Sequence, residues 1–198
     1  VADPKKITLE EVAREGKITV LIGVAGKAGM FTEEAIRAMA KNTERPVIFP
    51  LSNPTSKSEA TPEDLMKWTN GKALIGTGSP FEPVQVGDRK ICIDQTNNSY
   101  VFPGLALGIV AAQARRVSDA MIMTASQALA RLSPVEKDRN GSLLPPMKDS
   151  RAIGKVIAAA VARQAIAEGL SNLKESEVET AVAALVWEPV YVPFERER

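Results

Sequence analysis

Three asparagines are the clearest candidates for ligand chemistry: Asn53, which Pro54 follows, and the adjacent pair Asn97 and Asn98. A side-chain amide combines a hydrogen-bond donor with an acceptor, so it can orient a carboxylate or hydroxyl without adding charge. The alternative is loop chemistry alone, because Asn-Pro readily starts a turn and Pro103 suits the start of a helix. The residues themselves leave both interpretations open.

A glycine-rich loop is the second candidate. Gly23, Gly26 and Gly29 recur at every third position after an apolar run. The spacing matches neither G-x-G-x-x-G nor G-x-x-x-x-G-K-[ST], because Lys27 lacks the upstream glycine and is followed by Ala28. A glycine loop between a strand and a helix still lets a ligand approach the backbone closely. The alternative is a plain tight turn.

Several kinds of catalytic site are excluded by composition. The chain has no histidine and one cysteine, Cys92. There is therefore no His base, no Ser-His or Cys-His nucleophile and little basis for a zinc site. A single cysteine excludes an intramolecular disulfide and favours a reducing compartment, so we expect a cytoplasmic protein. The acidic residues fall mainly at helix starts or on solvated faces, and we expect no metal cluster.

Length and charge indicate an ordinary globular protein. The chain has 198 residues, 44% of them hydrophobic, with 25 Lys and Arg against 24 Asp and Glu. This balance argues against disorder and leaves no excess charge to drive binding to nucleic acid or to a membrane surface. No segment reaches the ~20 apolar residues that span a bilayer.

The elements that would position these candidates alternate between strand and helix. Strands are expected in three apolar segments, at residues 18–24, 47–51 and 73–76. The first is almost continuously apolar, which suits burial on both faces. The helices between them begin at the caps Thr32 and Thr61. This order is typical of parallel strands, and such sheets bind ligands at the carboxyl ends of their strands, where the glycine loop and Asn53 lie.

The pattern after residue 100 is helical. Helices are expected at residues 105–114, 118–132 and 150–169, and from a capping box at Ser176 to Pro189. Tyr100 and Phe102, just before the first of these, are expected in the core. The fold class is therefore α/β: half of a doubly wound, Rossmann-like parallel sheet followed by a C-terminal helical region.

Six segments, in this order, resemble the C-terminal part of the malic enzyme family. They are LIGVAG at 21–26, FTEE at 31–34, LSNPTSK at 51–57, GSPF at 78–81, NNSYVFPGLALG at 97–108 and WEPVY at 187–191. The resemblance extends over essentially the whole chain, and the third and fifth segments are together highly specific. Residues 1–100 then correspond to the C-terminal half of an NAD(P)-binding domain, and residues 101–198 to the helical C-terminal region.

The resemblance implies oxidative decarboxylation of L-malate to pyruvate and CO2, with NAD or NADP and a divalent cation, Mg²⁺ or Mn²⁺. It implies that Asn53 lies near the nicotinamide and malate, and that Asn97 and Asn98 lie near the malate carboxylate. Gly26 and Ser52 belong to loops that line the cofactor.

The family's catalytic Tyr and Lys, its malate-binding Arg, its acidic metal ligands and its main dinucleotide motif lie upstream of the region that this chain resembles. We therefore expect no catalytic residue and no metal ligand here. We interpret the chain as a fragment, inactive by itself, that works with the remainder of a malic enzyme chain in a homo-oligomer. One local departure is Gln95-Thr96, where many members have Gln-Gly or Gln-Cys.

Two other interpretations stay open. The first is a fragment of a malolactic enzyme, which resembles this family but retains its NAD and releases lactate. The second is a non-catalytic module derived from the family, with the C-terminal helices as an assembly surface. The residues do not choose between NAD and NADP.

Overall fold

A computed structural model describes residues 7–138, 141–188, 190–191 and 193–194. These residues form two compact units. The first contains the described residues up to Asn97 together with Ser133–Pro145, and the second contains Asn98–Leu132 with the described residues from Pro146 onward.

The first unit is an α/β sheet structure. Its elements within the described residues are α1 (Leu9–Glu15), β1 (Val20–Gly23), α2 (Glu33–Asn42), β2 (Val47–Pro50), α3 (Pro62–Trp68), β3 (Leu74–Thr77), β4 (Val84–Val86), β5 (Arg89–Ile91) and β6 (Asp94–Gln95). The strands β1, β2, β3 and β6 lie side by side in that order and are all parallel, whereas β4 and β5 form a separate antiparallel pair. The predicted α/β class with a parallel sheet is confirmed.

Threonine caps start the helices of this unit. The hydroxyl of Thr32 accepts a hydrogen bond from the Ala35 N–H at 3.3 Å, and that of Thr61 accepts one from the Asp64 N–H at 3.2 Å. Both bonds satisfy an N–H that has no partner within its helix. The two predicted caps are confirmed, while the helix α1, the β4–β5 pair and the strand β6 are findings of the structure.

Both α2 and α3 pack on one face of the sheet. Their side chains form a core with alternate residues of the strands: Ile36, Met39, Ile48, Leu65, Met66 and Ile75. On the opposite face, Val20 is 51% exposed and Ile22 is 57% exposed. The expectation that the first strand is buried on both faces is therefore wrong for this chain. A strand of a parallel sheet is buried on both faces only where helices cover both faces of the sheet. Here α2 and α3 cover one face.

The segment Ser133–Pro145 is fastened to the sheet through Asp94 of β6. The Asp94 carboxylate accepts hydrogen bonds from the Leu143 N–H at 2.5 Å and the Leu144 N–H at 3.2 Å. Burial raises the pKa of Asp94 above its ordinary value, although the two N–H bonds oppose the shift. This polar connection between two helices thus belongs to the first unit.

The second unit is helical. Its helices within the described residues are α4 (Phe102–Ala111), α5 (Asp119–Ala130), α6 (Ser150–Ala167) and α7 (Val178–Leu185). The long helix α6 packs against the other three. In the part of the chain that the structure describes, no helix combines the length and the apolar character needed to cross a membrane.

Two details of this unit differ from the sequence-based expectations. The predicted capping box at Ser176 is wrong, because a 3₁₀ turn at Glu175–Glu177 precedes α7 and the Glu177 carboxylate accepts a hydrogen bond from the Lys174 N–H at 3.1 Å. Pro189, expected to end this helix, lies outside the described residues. Tyr100 is buried as expected, but Phe102 is 60% exposed and is not a core residue.

Two glycines let α4 approach α6. A Cβ on Gly104 would lie 2.7 Å from the Ile157 Cβ, and one on Gly108 would lie 2.5 Å from the Ala158 backbone oxygen. Both distances are too short for a side chain. The glycines at the end of the NNSYVFPGLALG segment therefore serve helix packing.

We predict that Gly108→Ala destabilises the chain by about 1–3 kcal/mol, because the added methyl group overpacks a closed helix contact. Gly154→Ala is the matched control in the same pair of helices, since its Cβ would meet only Gly104 atoms, at 3.9 Å. Urea unfolding of the purified chain, followed by circular dichroism, measures both. Equal midpoints for the two variants would contradict this account of the contact.

Candidate functional site

The carboxyl ends of the four parallel strands meet at one edge of the sheet. The strand ladder continues beyond them: the Leu51 N–H donates to the Gly23 carbonyl at 2.9 Å, and the Thr96 N–H donates to the Thr77 carbonyl at 2.7 Å. A third bond, from the Gly78 N–H to the Pro50 carbonyl, measures 3.2 Å. The loops that follow the strands therefore start side by side, at the edge where open α/β sheets bind ligands.

The three glycines of the first loop have two different reasons to be glycine. Gly26 and Gly29 have positive φ angles of 65° and 72°, and a Cβ on either would meet nothing within 4 Å. A Cβ on Gly23 would instead lie 2.6 Å from the Phe31 ring and 2.7 Å from the Glu59 side chain. The first two keep an open backbone on the surface, and the third makes room for a buried side chain.

Ser52 joins the first two loops. It is 7% exposed, and its hydroxyl oxygen accepts a hydrogen bond from the Gly26 N–H at 2.8 Å. The same hydroxyl donates its proton to the Glu59 carboxylate through a short hydrogen bond. The structure thus brings together Gly26 and Ser52, two of the residues that the resemblance selects.

Glu59 is a fully buried carboxylate that the sequence analysis missed. Burial raises its pKa, but hydrogen bonds from Ser52 and Ala25 outweigh burial and hold the pKa below the ordinary value of 4.5. Because the folded pKa lies below the unfolded one, this carboxylate contributes stability above the ordinary pKa, and the contribution is lost as the pH falls through the lower folded value. The expectation that acids lie mainly at helix starts or on solvated faces does not describe this residue.

Asn53 follows Ser52 and is exposed on the surface. The bond from the Leu51 N–H to the Gly23 carbonyl holds the start of its loop. The Ser79 hydroxyl donates to the Asn53 Oδ1 at 2.5 Å, and the Asn53–Pro54 peptide bond is cis. Because the Asn53 Oδ1 accepts this hydrogen bond, the group that the amide can present to a ligand is its Nδ2, a donor. Ser79 is a second residue that the site analysis from sequence missed, although it lies within the GSPF segment.

The asparagine pair falls at the boundary between the two units. Asn97 is half-buried and follows Thr96 at the carboxyl end of β6, so it lies at the same sheet edge as Ser52 and Ser79. Asn98 is exposed and opens the second unit in a 3₁₀ turn at Asn98–Tyr100. The Thr96 hydroxyl is buried without a hydrogen-bond partner among the described residues, and a Cβ on Gly76 would overlap it.

The groups at this sheet edge suit hydrogen bonding to a ligand. The loops expose the backbone at Gly26 and Gly29, the Asn53 side chain, and the positively charged Lys27 and Lys57. The Ser52 and Ser79 hydroxyls and the Gly26 N–H are bonded within the protein. The carboxylate of Glu59 points inward and its oxygens are already bonded. Across the described residues, no group of three or more His, Cys, Asp or Glu could hold a metal ion.

The comparisons with known proteins agree on one family. Residues 1–166 match the family model described as "Malic enzyme, NAD binding domain". The chain is 51% identical over 191 residues to the NAD-dependent malic enzyme of Shewanella denitrificans and 49% identical over 191 residues to that of Proteus mirabilis. Each of these matches includes 96% of this chain and 34% of the relative.

A solved structure agrees with them. The crystal structure of Entamoeba histolytica malic enzyme aligns with 92% of this chain and 34% of its own, with a TM-score of 0.71 and 27% sequence identity. The chain therefore spans about a third of the length of the curated relatives it matches.

We predict that Gly23→Ala destabilises the chain more than Gly26→Ala. The first substitution overlaps Phe31 and Glu59 and should lower the unfolding free energy by about 1–3 kcal/mol or more. The second strains only a positive φ, at a cost of about 1 kcal/mol. Denaturant midpoints of the two purified variants test the order, and a larger loss for Gly26→Ala would contradict the packing role assigned to Gly23.

Proposed function

The chain belongs to the malic enzyme family, as its motifs predict, and we propose that it forms one wall of the cofactor and malate site in a longer enzyme. That enzyme would oxidatively decarboxylate L-malate to pyruvate and CO2. Within it, residues 1–100 would be the C-terminal half of the NAD(P)-binding domain, and residues 101–198 the helical C-terminal region. The observation that carries the proposal is the sheet edge where Ser52 accepts a hydrogen bond from the Gly26 N–H and where Ser79 holds the Asn53 amide.

The residues present at this edge fit a dinucleotide. Gly26 and Gly29 leave the backbone open to close approach by a polar ligand, since a Cβ on either would meet nothing within 4 Å. NAD or NADP, when bound, supplies the hydride acceptor. Gly26 would contact the cofactor through its backbone, Ser52 would hold that backbone in place, and Asn53 would orient the reacting end. The names of the relatives favour NAD over NADP.

The asparagines would orient malate. The Oδ1 of Asn53 is engaged by Ser79, so its amide hydrogens are directed by a fixed partner. Asn97 and Asn98 would add neutral donors to the malate carboxylate. Neutral amides position a dicarboxylate without perturbing the pKa of an acid or base nearby, whereas an added charge would shift both.

The chemistry would come from the remainder of the malic enzyme chain. We propose that it supplies the catalytic residues and the ligands of a divalent cation, Mg²⁺ or Mn²⁺, since the described residues offer no metal cluster. We also propose a cytoplasmic, homo-oligomeric enzyme. The exposed apolar face of β1, Val20 and Ile22, is a surface of the kind that neighbouring protein covers.

Product analysis of the longer protein that carries this chain tests the function. Malate, NAD and Mn²⁺ should yield pyruvate, CO2 and NADH in equal amounts. Lactate without net NADH would favour a malolactic enzyme, and no turnover would favour the assembly module. Repeating the assay with NADP settles the cofactor preference.

We predict that the isolated 198-residue chain does not turn over malate, because its described residues hold no metal cluster for the cation that would stabilise the enolate. An assay of the purified chain with malate, Mn²⁺ and either cofactor checks this, with the longer protein as the positive control. Turnover near about 10 per second, typical of enzymes, would refute the fragment interpretation.

We predict that Asn53→Ala in the longer enzyme lowers kcat/KM for malate by roughly 10- to 1000-fold, or about 1.4–4 kcal/mol. The reason is positioning, since small misplacements of reacting groups are costly. Folding should change by only ~1 kcal/mol, because Asn53 is an exposed loop residue. Asn172→Ala, at an exposed position of the second unit, is the control. Wild-type kcat/KM for Asn53→Ala would make Asn53 a turn residue only.

A further inference from the structure

Glu59 collects hydrogen bonds from both loops of the proposed cofactor site. One carboxylate oxygen, Oε1, accepts from the Ala25 N–H at 2.7 Å and from the Ser52 hydroxyl. The other, Oε2, accepts from the Ser52 N–H at 3.3 Å. The donors lie 34 and 7 residues away along the chain, so one buried side chain joins the loop after β1 to the loop after β2.

The backbone of Glu59 holds the far end of the glycine loop. Its carbonyl accepts a hydrogen bond from the Phe31 N–H at 3.1 Å. The glycine loop is therefore fixed at Ala25 by the Glu59 side chain and at Phe31 by the Glu59 backbone. Between these two points lie Gly26 and Gly29, whose open backbone is the feature that suits a dinucleotide.

A relay connects Glu59 to the Gly26 backbone. The Ser52 hydroxyl has one proton, which it donates to Glu59, so that a lone pair on the same oxygen accepts the Gly26 N–H. If the carboxylate were absent, the Ser52 hydroxyl could rotate and its acceptor lone pairs would no longer be directed. The position of the Gly26 N–H thus depends on Glu59 through Ser52.

We propose that Glu59 is a positioning residue, which holds the glycine loop and the Ser52–Asn53 loop in the one arrangement that receives the nicotinamide cofactor. The proposal rests on the function proposed above. Glu59 acts through Ala25, Ser52 and Gly26, and its own oxygens are used within the protein.

The test uses Glu59→Gln in the longer protein that carries this chain. A glutamine side chain has nearly the same shape but one acceptor oxygen, so at least one of the three donors loses its partner. Glu63→Gln is the matched control, with the same change of charge at an exposed position of α3. Ser52→Ala is the second variant, which breaks the relay and leaves the carboxylate with its two N–H donors.

Two measurements are made on each variant. Hydrogen–deuterium exchange with mass spectrometry should show exchange in segments 24–31 and 51–57 rising at least about tenfold in Glu59→Gln, with the remaining sheet strands unchanged. Steady-state kinetics should show KM for NAD rising about 10- to 100-fold, as for loss of a hydrogen bond to a charged group. The kcat at saturating NAD should fall by a smaller factor.

The double variant Ser52→Ala/Glu59→Gln should lose less than the sum of the two single losses, because both residues act on Gly26 through the same hydroxyl. The proposal is overturned if Glu59→Gln matches Glu63→Gln in both measurements. Uniform acceleration of exchange throughout the first unit, without a selective change in KM for NAD, would also overturn it by showing a purely structural role. If the wild-type protein does not bind NAD, the proposed function fails, and exchange in the two loops still decides whether Glu59 anchors them.

Discussion

The buried carboxylate of Glu59 is the constraint on which the sheet edge depends. An ionised group without solvent is strongly unfavourable unless hydrogen bonds replace its hydration. Here the replacement comes from Ala25 and Ser52, which lie in different loops, so the loops must close around the carboxylate for the fold to be stable. The same side chain occupies the space where a Gly23 side chain would lie. The buried charge of Glu59 therefore accounts for the glycine at position 23, for the serine at position 52 and for the separation of the loops after β1 and β2.

The second unit is governed by packing rather than by charge. Helices α4 and α6 come so close that Gly104 and Gly108 cannot carry a Cβ. Close contact of this kind gains dispersion energy along the helices but tolerates little change in volume. The segment from Asn97 to Gly108 consequently combines two roles: amides at its start and a helix-packing surface at its end. The glycines of this motif are thus explained by helix packing without any ligand.

Local chemistry made much of the fold predictable. Neighbouring residues alone predict the caps Thr32 and Thr61 and the apolar strands of the sheet. The structure contains both caps and all three of these strands. The failures are non-local. The exposure of Ile22 depends on which helices are present to cover it, and the burial of Glu59 depends on donors 34 and 7 residues away. The strand β6 has only two residues, too few for any periodic pattern.

The hydrogen bonds that join the glycine loop to the Ser52–Asn53 loop are made within the first unit. The ladder bonds just after β2, β3 and β6, the Glu59 network and the Ser79–Asn53 bond involve residues between Gly23 and Thr96. These hydrogen bonds constrain the loops through contacts inside the first unit itself. A site organised in advance loses less conformational entropy on binding, so more of the interaction energy remains for affinity and orientation. On the proposed function, a chain that spans a third of its relatives can thus carry one wall of the site, with its loops held by their own hydrogen bonds.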